Sequence, residues 1–275
     1  MTKSIFIDFD GTLAEHGRVP SAHLDAIGQA REAGHRVFLC TGRPKALVPA
    51  HFRQGVFDGL VCAAGGYVEI DGQVLADLRY PADLATRTAA LLVEHDAVFI
   101  LEAPDRLFTS PQAMPRVLAA FAPMLLSDDG REGAEEILAA LEPLDDLSGC
   151  SFGKVSVVDS PLPVPDLAEL LGSEIGALPN SVTGRSGHAG ELYLRGIDKS
   201  LGIATVETHF GLNRSDIIAI GDGMNDLEMI GYAGIGVAVE GGADEVLAAA
   251  QHVIPGPASN GIAQGFVELG LIPPR

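Results

Sequence analysis

The first third of the chain alternates short apolar runs with amphipathic ones. The run Ser4 to Phe9 predicts a strand, and a helix follows over about Ser21 to Ala33, with Ser21 behind Pro20 suited to cap it and Gly34 suited to end it. The pattern continues with a strand over Arg36 to Cys40, a second helix starting near Pro44 and a strand over Gly59 to Ala63. Strands separated by helices imply a parallel sheet with helices on its faces. The rhythm breaks at Asp71-Gly72, a two-residue hairpin turn flanked by Tyr67 to Ile70 and Gln73 to Leu78. Between about Pro81 and Ala189 the pattern is mixed: helical runs at Leu84 to Glu94 and Ala134 to Leu141, strand-like runs at Ala97 to Leu101 and Lys154 to Val158, and turn clusters at Ser127 to Gly130 and Pro161 to Pro165. After Glu191 the alternation returns, with helices near Ser200 to Phe210 and Asn225 to Tyr232 and strands at Ile217 to Ile220 and Ile235 to Val239. The expected architecture is α/β: a doubly wound, Rossmann-like parallel-sheet core built from residues 1–80 and 190–275, interrupted by an α+β insertion over residues 81–189.

Composition narrows the function classes. A chain of 275 residues with 47% hydrophobic and 20% charged residues is that of an ordinary folded protein of one or two domains. Its apolar runs, such as Ala89 to Val93, fall far short of the roughly 20 residues that span a bilayer, and an acidic residue at position 8 does not suit a secretory leader, so a cytoplasmic location is expected. Three distant cysteines, Cys40, Cys62 and Cys150, suit buried thiols better than zinc or disulfides. The formal charge of −19 argues against nucleic acid and anionic membranes as partners, and it requires any anionic substrate to find local positive charge.

Four segments carry chemistry. Asp8-Phe9-Asp10-Gly11-Thr12 closes the first strand, where the period of two sets Asp8 and Asp10 on one side and Phe9 on the other. One carboxylate of such a pair can attack phosphorus while the other protonates the leaving oxygen. Thr41-Gly42-Arg43 closes the second strand, offering a hydroxyl and backbone N–H groups to phosphoryl oxygens. Gly221-Asp222-Gly223-Met224-Asn225-Asp226 follows a third strand with carboxylates and an amide, hard oxygen ligands of the kind magnesium takes, with Asp222 placed to be one; it lacks the alternating acids and closing Glu of a calcium loop. Lysine is scarce, only four residues, and Lys199 in Gly196-Ile-Asp-Lys-Ser200 stands at a helix start where a compact ammonium could neutralise phosphate charge. The eight histidines show no metal-ligand spacing; His16 and His188, nearest the motifs, read as surface residues.

These four segments, in this order and with a large insertion between the second and third, resemble the haloacid dehalogenase-like (HAD) superfamily of phosphatases, in particular its Cof-type branch. The resemblance implies a phosphomonoester hydrolase of small phosphorylated metabolites, with sugar phosphates favoured, that uses Mg2+ and a covalent aspartyl-phosphate. It makes Asp8 the nucleophile and a metal ligand, and Asp10 the general acid/base with its backbone carbonyl on the metal. Asp222 is a further ligand, and Asp226 binds metal through water or orients Lys199. Thr41, Gly42, Lys199 and Asn225 hold the phosphoryl group, and the insertion is a type IIB cap that selects the substrate. Such enzymes often carry Asn-Gly-Ala after the third strand; this chain has Ala64-Gly65-Gly66, which removes a polar contact. Within the insertion Arg131, Lys154 and Arg185 are candidate contacts to the rest of the ligand. Two alternatives stay open: a phosphomutase that passes the same phosphoryl group to a sugar hydroxyl, and a non-catalytic phosphate-binding or phospho-acceptor module.

Overall fold

The computed structural model describes residues 2–127, 131–179 and 187–274. The chain begins with β1 (Ser4–Ile7), α1 (Ser21–Glu32), β2 (Arg36–Cys40), β3 (Gly59–Cys62), β4 (Tyr67–Ile70) and β5 (Gln73–Asp77). Next come α2 (Ala82–Glu94), β6 (Val98–Glu102), β7 (Leu107–Thr109), α3 (Met114–Leu125), α4 (Arg131–Ala140), β8 (Leu141–Pro143), β9 (Lys154–Asp159), α5 (Val164–Leu171), β10 (Ile175–Pro179) and β11 (Gly190–Leu194). It ends with α6 (Lys199–Phe210), β12 (Ile217–Gly221), α7 (Leu227–Tyr232), β13 (Ile235–Val239), α8 (Asp244–Ala249), β14 (His252–Ile254) and α9 (Gly261–Glu268).

Two compact units result. One comprises Met1–Arg43, Val48–Asp77 and Asp198–Arg275; the other comprises Pro44–Leu47 and Leu78–Ile197. The first holds an eight-stranded sheet of order β14-β13-β12-β1-β2-β3-β4-β5. Its pairs are parallel from β14 through β3, then antiparallel at β3–β4 and β4–β5. A parallel sheet covered on both faces needs strands that are apolar throughout, and Ser-Ile-Phe-Ile, Val-Phe-Leu-Cys and Ile-Ile-Ala-Ile are fully buried. Their side chains alternate: Ile5, Ile7, Val37 and Leu39 pack with Ala26 and Ile27 of α1 and Ile262 and Phe266 of α9, while Phe6 and Phe38 pack with Ile203 and Val206 of α6 and Met229 of α7. Phe6 and Phe38 stack with ring centroids 4.8 Å apart. Strands β4 and β5 turn at Asp71 and Gly72, both at positive φ, as a type I′ hairpin requires.

The second unit carries a six-stranded sheet, β10-β11-β9-β6-β7-β8, antiparallel except for β7–β8. One face packs Phe99, Leu101, Val155, Val157 and Leu192 against Leu84 and Leu92 of α2 and Leu167 of α5. Val98 and Ile100, pointing the other way, pack with Val117 of α3 and with Leu47.

Three expectations need correction. The residues after Pro44 form two short 3-10 turns, Lys45–Leu47 and Ala50–Phe52, rather than a helix, because Pro49 interrupts the run. Ser21 is the first residue of α1 and provides no side-chain cap, since Pro20 occupies the N-cap position. The boundary expected between residues 189 and 190 falls inside the second sheet, because β11 pairs with β9 and β10. Its alternation of buried Leu192 with half-exposed Glu191 is the period of an antiparallel strand, and the first unit resumes only at Asp198. Of the turn cluster expected at Ser127 to Gly130, residues 128–130 lie outside the described residues.

His23 fixes the turn after β1. It is fully buried; its Nδ1–H donates to the carbonyl of Leu13 at 2.9 Å, and its Nε2 accepts the Ile262 N–H at 3.3 Å. Burial lowers its pKa, against the pull of the Leu13 carbonyl, so the folded state holds the neutral ring. Below the ordinary histidine pKa the unfolded chain binds a proton that the folded chain resists, so this group removes stability as pH falls. Thermal unfolding between pH 7 and pH 5 should therefore show a Tm that falls on acidification, and His23→Gln should flatten that dependence. An unchanged slope in the variant would show that His23 does not set it.

Candidate active site

Asp8 and Asp10 stand at the carboxyl end of β1. The Asp8 N–H still donates to the Ile220 carbonyl of β12 at 2.9 Å, so the first carboxylate inherits the sheet's rigidity, and it is 4% exposed. Phe9 points into the core at 1% exposure, whereas the Asp10 side chain is 56% exposed. The chain then doubles back, with Leu13 N–H donating to Asp8 O at 3.1 Å and Ala14 N–H to Phe9 O at 2.8 Å. Gly11 makes this turn at φ +84°, and a Cβ there would come within 2.4 Å of the Asp222 carboxylate. The buried hydroxyl of Thr12 donates to Asp222 Oδ1 at 2.7 Å. The Gly-Thr half of the first motif thus orients the carboxylate of the last, a role that the pentapeptide alone does not announce.

Lys199 opens α6, whose N-cap Asp198 accepts the Ser200 N–H at 2.8 Å and the Leu201 N–H at 3.2 Å. The Lys199 ammonium is fully buried and donates to Asp8 Oδ1 and Asp226 Oδ1. The other oxygen of Asp226 accepts the backbone N–H groups of Asp222 and Gly223, both at 2.9 Å. Gly221 makes room for this, since a Cβ there would lie 2.5 Å from the Asp226 carboxyl carbon. Asp226 therefore orients Lys199 and shapes the Asp222 loop with both of its oxygens.

The electrostatics follow from burial. Desolvation, with Asp226 alongside, pushes the Asp8 carboxyl well above the usual carboxylate range despite the Lys199 ammonium. Burial also raises Asp222, against the hydroxyl of Thr12. Burial alone would lower Lys199, but Asp8 and Asp226 outweigh it and hold the ammonium charged. Oxygens of Asp8, Asp222 and Asp226 lie within 4.8 Å of one another. Three carboxylates against one ammonium leave negative charge that a divalent cation would neutralise, and the carboxylate oxygens of Asp8 and Asp222 suit a hard ion such as magnesium. The residues present fit such an ion.

Thr41 is buried at the end of β2, and its hydroxyl accepts the Arg43 N–H at 3.1 Å. A Cβ on Gly42 would lie 3.2 Å from the Asn225 amide nitrogen, so the second and fourth motifs meet there. The segment after β3 braces this turn: Ala63 N–H donates to Arg43 O at 2.8 Å and Ala64 N–H to Thr41 O at 3.1 Å. Ala63 and Ala64 adopt positive φ, a conformation that asparagine tolerates better than alanine. Gly65, at φ +96°, has the Asp198 carbonyl 2.0 Å from where a Cβ would stand, so only glycine lets α6 approach this closely.

The structure brings Asp8, Asp222, Asp226 and Lys199 into one cluster, places Asp10 beside it, and sets Thr41, Gly42 and Asn225 in adjoining turns. Arg43, to which its motif in the sequence assigns no role, pairs with Asp10. In the second unit Arg131 is exposed on α4. Lys154 is no surface residue: it is 5% exposed, its Nζ 2.8 Å from Glu191 and 3.4 Å from Glu102. Arg185 lies outside the described residues. His16 is exposed as expected, whereas the half-buried His188 ring lies 2.8 Å from the Ser160 carbonyl. Cys40 and Cys62 are buried and Cys150 is partly so, all as free thiols.

Residues 5–266 match the family model of haloacid dehalogenase-like hydrolases. A putative phosphatase of Bacillus subtilis, YkrA, is 27% identical over 274 residues, covering 98% of this chain and 99% of its own length. A phosphoglycolate phosphatase of Methanococcoides burtonii is 28% identical, covering 91% of this chain and 89% of its own. Among solved structures, a HAD subclass IIB sugar phosphatase superposes with a TM-score of 0.78 at 22% identity, over 98% of this chain and 100% of that one. With the motif residues gathered at the strand ends and the family model spanning nearly the whole sequence, the chain belongs to the haloacid dehalogenase-like hydrolases.

Proposed function

We propose that the protein is a magnesium-dependent phosphatase that hydrolyses small phosphorylated metabolites, sugar phosphates in particular, through a phosphoryl group carried transiently on Asp8. The observation that carries this reading is the buried cluster of Asp8, Lys199 and Asp226 beside Asp222. A structural role for it is disfavoured, because burying two carboxylates around one ammonium, with the half-buried Asp222 beside them, costs more than an apolar core of the same volume would. The names of similar proteins, phosphatases of glycolate and sugar phosphates, support the substrate class.

In this reading an Asp8 oxygen attacks phosphorus as the bond to the ester oxygen breaks, and Asp10 gives that oxygen its proton. A water then attacks the same phosphorus, Asp10 takes the water's proton, and the bond to Asp8 breaks to release phosphate. Thr41 and Lys199 hold phosphoryl oxygens, with the Asn225 amide against Gly42 as a further donor. A magnesium ion held by Asp8, Asp222 and the Asp10 carbonyl would supply charge neutralisation for the phosphoryl oxygens. Asp226, whose oxygens are occupied by Lys199 and two N–H groups, acts on the metal through the loop it shapes. The second unit selects the substrate.

Asp8→Asn should preserve the circular dichroism spectrum and lower kcat by at least about a thousandfold, as removal of a nucleophile does. Retention of a tenth of the wild-type rate would remove Asp8 from this role. Chelation with EDTA should stop phosphate release. Magnesium should restore it and calcium should do so poorly, because calcium's longer bonds and higher coordination number displace the attacking and leaving groups from line. Full activity in excess chelator would exclude the metal.

A further inference from the structure

Arg43 faces the Asp10 carboxylate with both prongs of its guanidinium: Nε donates to Oδ2 at 2.8 Å and Nη2 to Oδ1 at 2.7 Å. The guanidinium carbon also lies 4.5 Å from the centroid of the Phe9 ring, so the cation rests on the buried residue between the two aspartates. Its backbone is fixed at both ends, the N–H by the Thr41 hydroxyl and the carbonyl by the Ala63 N–H. Asp10, by contrast, is more than half exposed on the turn that Gly11 closes, where an untethered carboxylate would sample several rotamers. Proton transfer needs heavy-atom separations of about 2.6–3.2 Å, which such sampling defeats most of the time.

We propose that Arg43 is a positioning residue: it clamps the Asp10 carboxylate between the fixed second turn and the Phe9 ring and thereby sets the direction in which Asp10 gives and takes its proton. The proposal rests on the acid/base role of Asp10. A carboxylate has about four lone-pair sites, so two remain for the leaving oxygen or the attacking water while the fork is in place. Lysine would supply the charge as a single point and leave the carboxylate free to turn. A partly exposed pair of this kind contributes little to folding, so a large loss of turnover on breaking it is not a loss of fold.

The test is steady-state hydrolysis of an alkyl phosphate with saturating magnesium by wild type, Arg43→Lys, Arg43→Ala, Asp10→Asn and the Arg43→Ala/Asp10→Asn double variant, each checked for unchanged Tm. The clamp predicts that both Arg43 variants lose kcat by about ten- to a hundredfold, the scale of a misplaced catalytic group, with KM within about threefold of wild type. Millimolar guanidinium ion, but not ammonium, should restore part of the Arg43→Ala loss. Arg43→Ala should add less than about twofold to the defect of Asp10→Asn, and guanidinium should do nothing in that background. A loss confined to KM would make Arg43 a substrate ligand and overturn the proposal, as would retention of wild-type kcat by Arg43→Lys, absence of guanidinium rescue, or an undiminished Arg43→Ala loss in the double variant. If Asp10→Asn itself turned over at the wild-type rate, the acid/base reading beneath it would fall as well.

Discussion

The Lys199 ammonium, buried without exposure between Asp8 and Asp226, is the interaction on which the rest of the site depends. A charge so placed is tolerable only when paired and hydrogen-bonded, and its partners come from the ends of two neighbouring parallel strands, β1 and β12. Meeting both requires α6 to begin against the turn after β3, where the glycine at position 65 gives the Asp198 carbonyl its space. It also requires Asp226 to fold back beneath Asp222, where Gly221 leaves room. The glycines of the motifs are thus contacts between motifs, and their spacing in sequence is the spacing of loops at one edge of a sheet.

Much of this was legible because the constraints are local. Strands buried on both faces announce themselves as unbroken apolar runs, and the residues that follow them must stand at the sheet's carboxyl edge. Asp8, Thr41 and Asp222 could therefore be placed from sequence, and with them the class of chemistry. Lys199 could be singled out because lysine is rare in this chain. What stayed hidden depends on contacts across long stretches of sequence. Nothing near Thr12 says that its hydroxyl will meet Asp222, some 210 residues away. Nothing near Arg43 says that it will turn back to Asp10 rather than toward solvent. His23, on the buried face of α1, reads as an ordinary helix residue until α9 supplies the Ile262 N–H.

The second unit was harder to read for a different reason. An antiparallel sheet whose strands are buried unevenly mixes polar and apolar positions, so its edges blur into the loops around them, and the sequence pattern runs β11 into the returning core although it pairs within the second sheet. Lys154 shows the same difficulty in one residue. A lysine in a strand reads as solvent-facing, yet Glu102 and Glu191 on the neighbouring strands β6 and β11 compensate it in the interior. Two carboxylates raise its pKa despite burial, which alone would lower it, so the ammonium remains charged.

The central claim is that phosphorus passes through Asp8, and the direct measurement is acid quenching of the magnesium-loaded enzyme during turnover, followed by mass analysis of the peptide that contains Asp8 and Asp10. The account predicts a peptide heavier by one phosphoryl group, with the modification mapped to Asp8 and absent when unreactive ester is supplied. Burst kinetics of alcohol release ahead of phosphate would accompany it wherever the second step is slow. Turnover with the peptide unmodified, and with alcohol and phosphate released in step from the first cycle onward under conditions that slow the second step, would contradict it and point instead to direct attack by water.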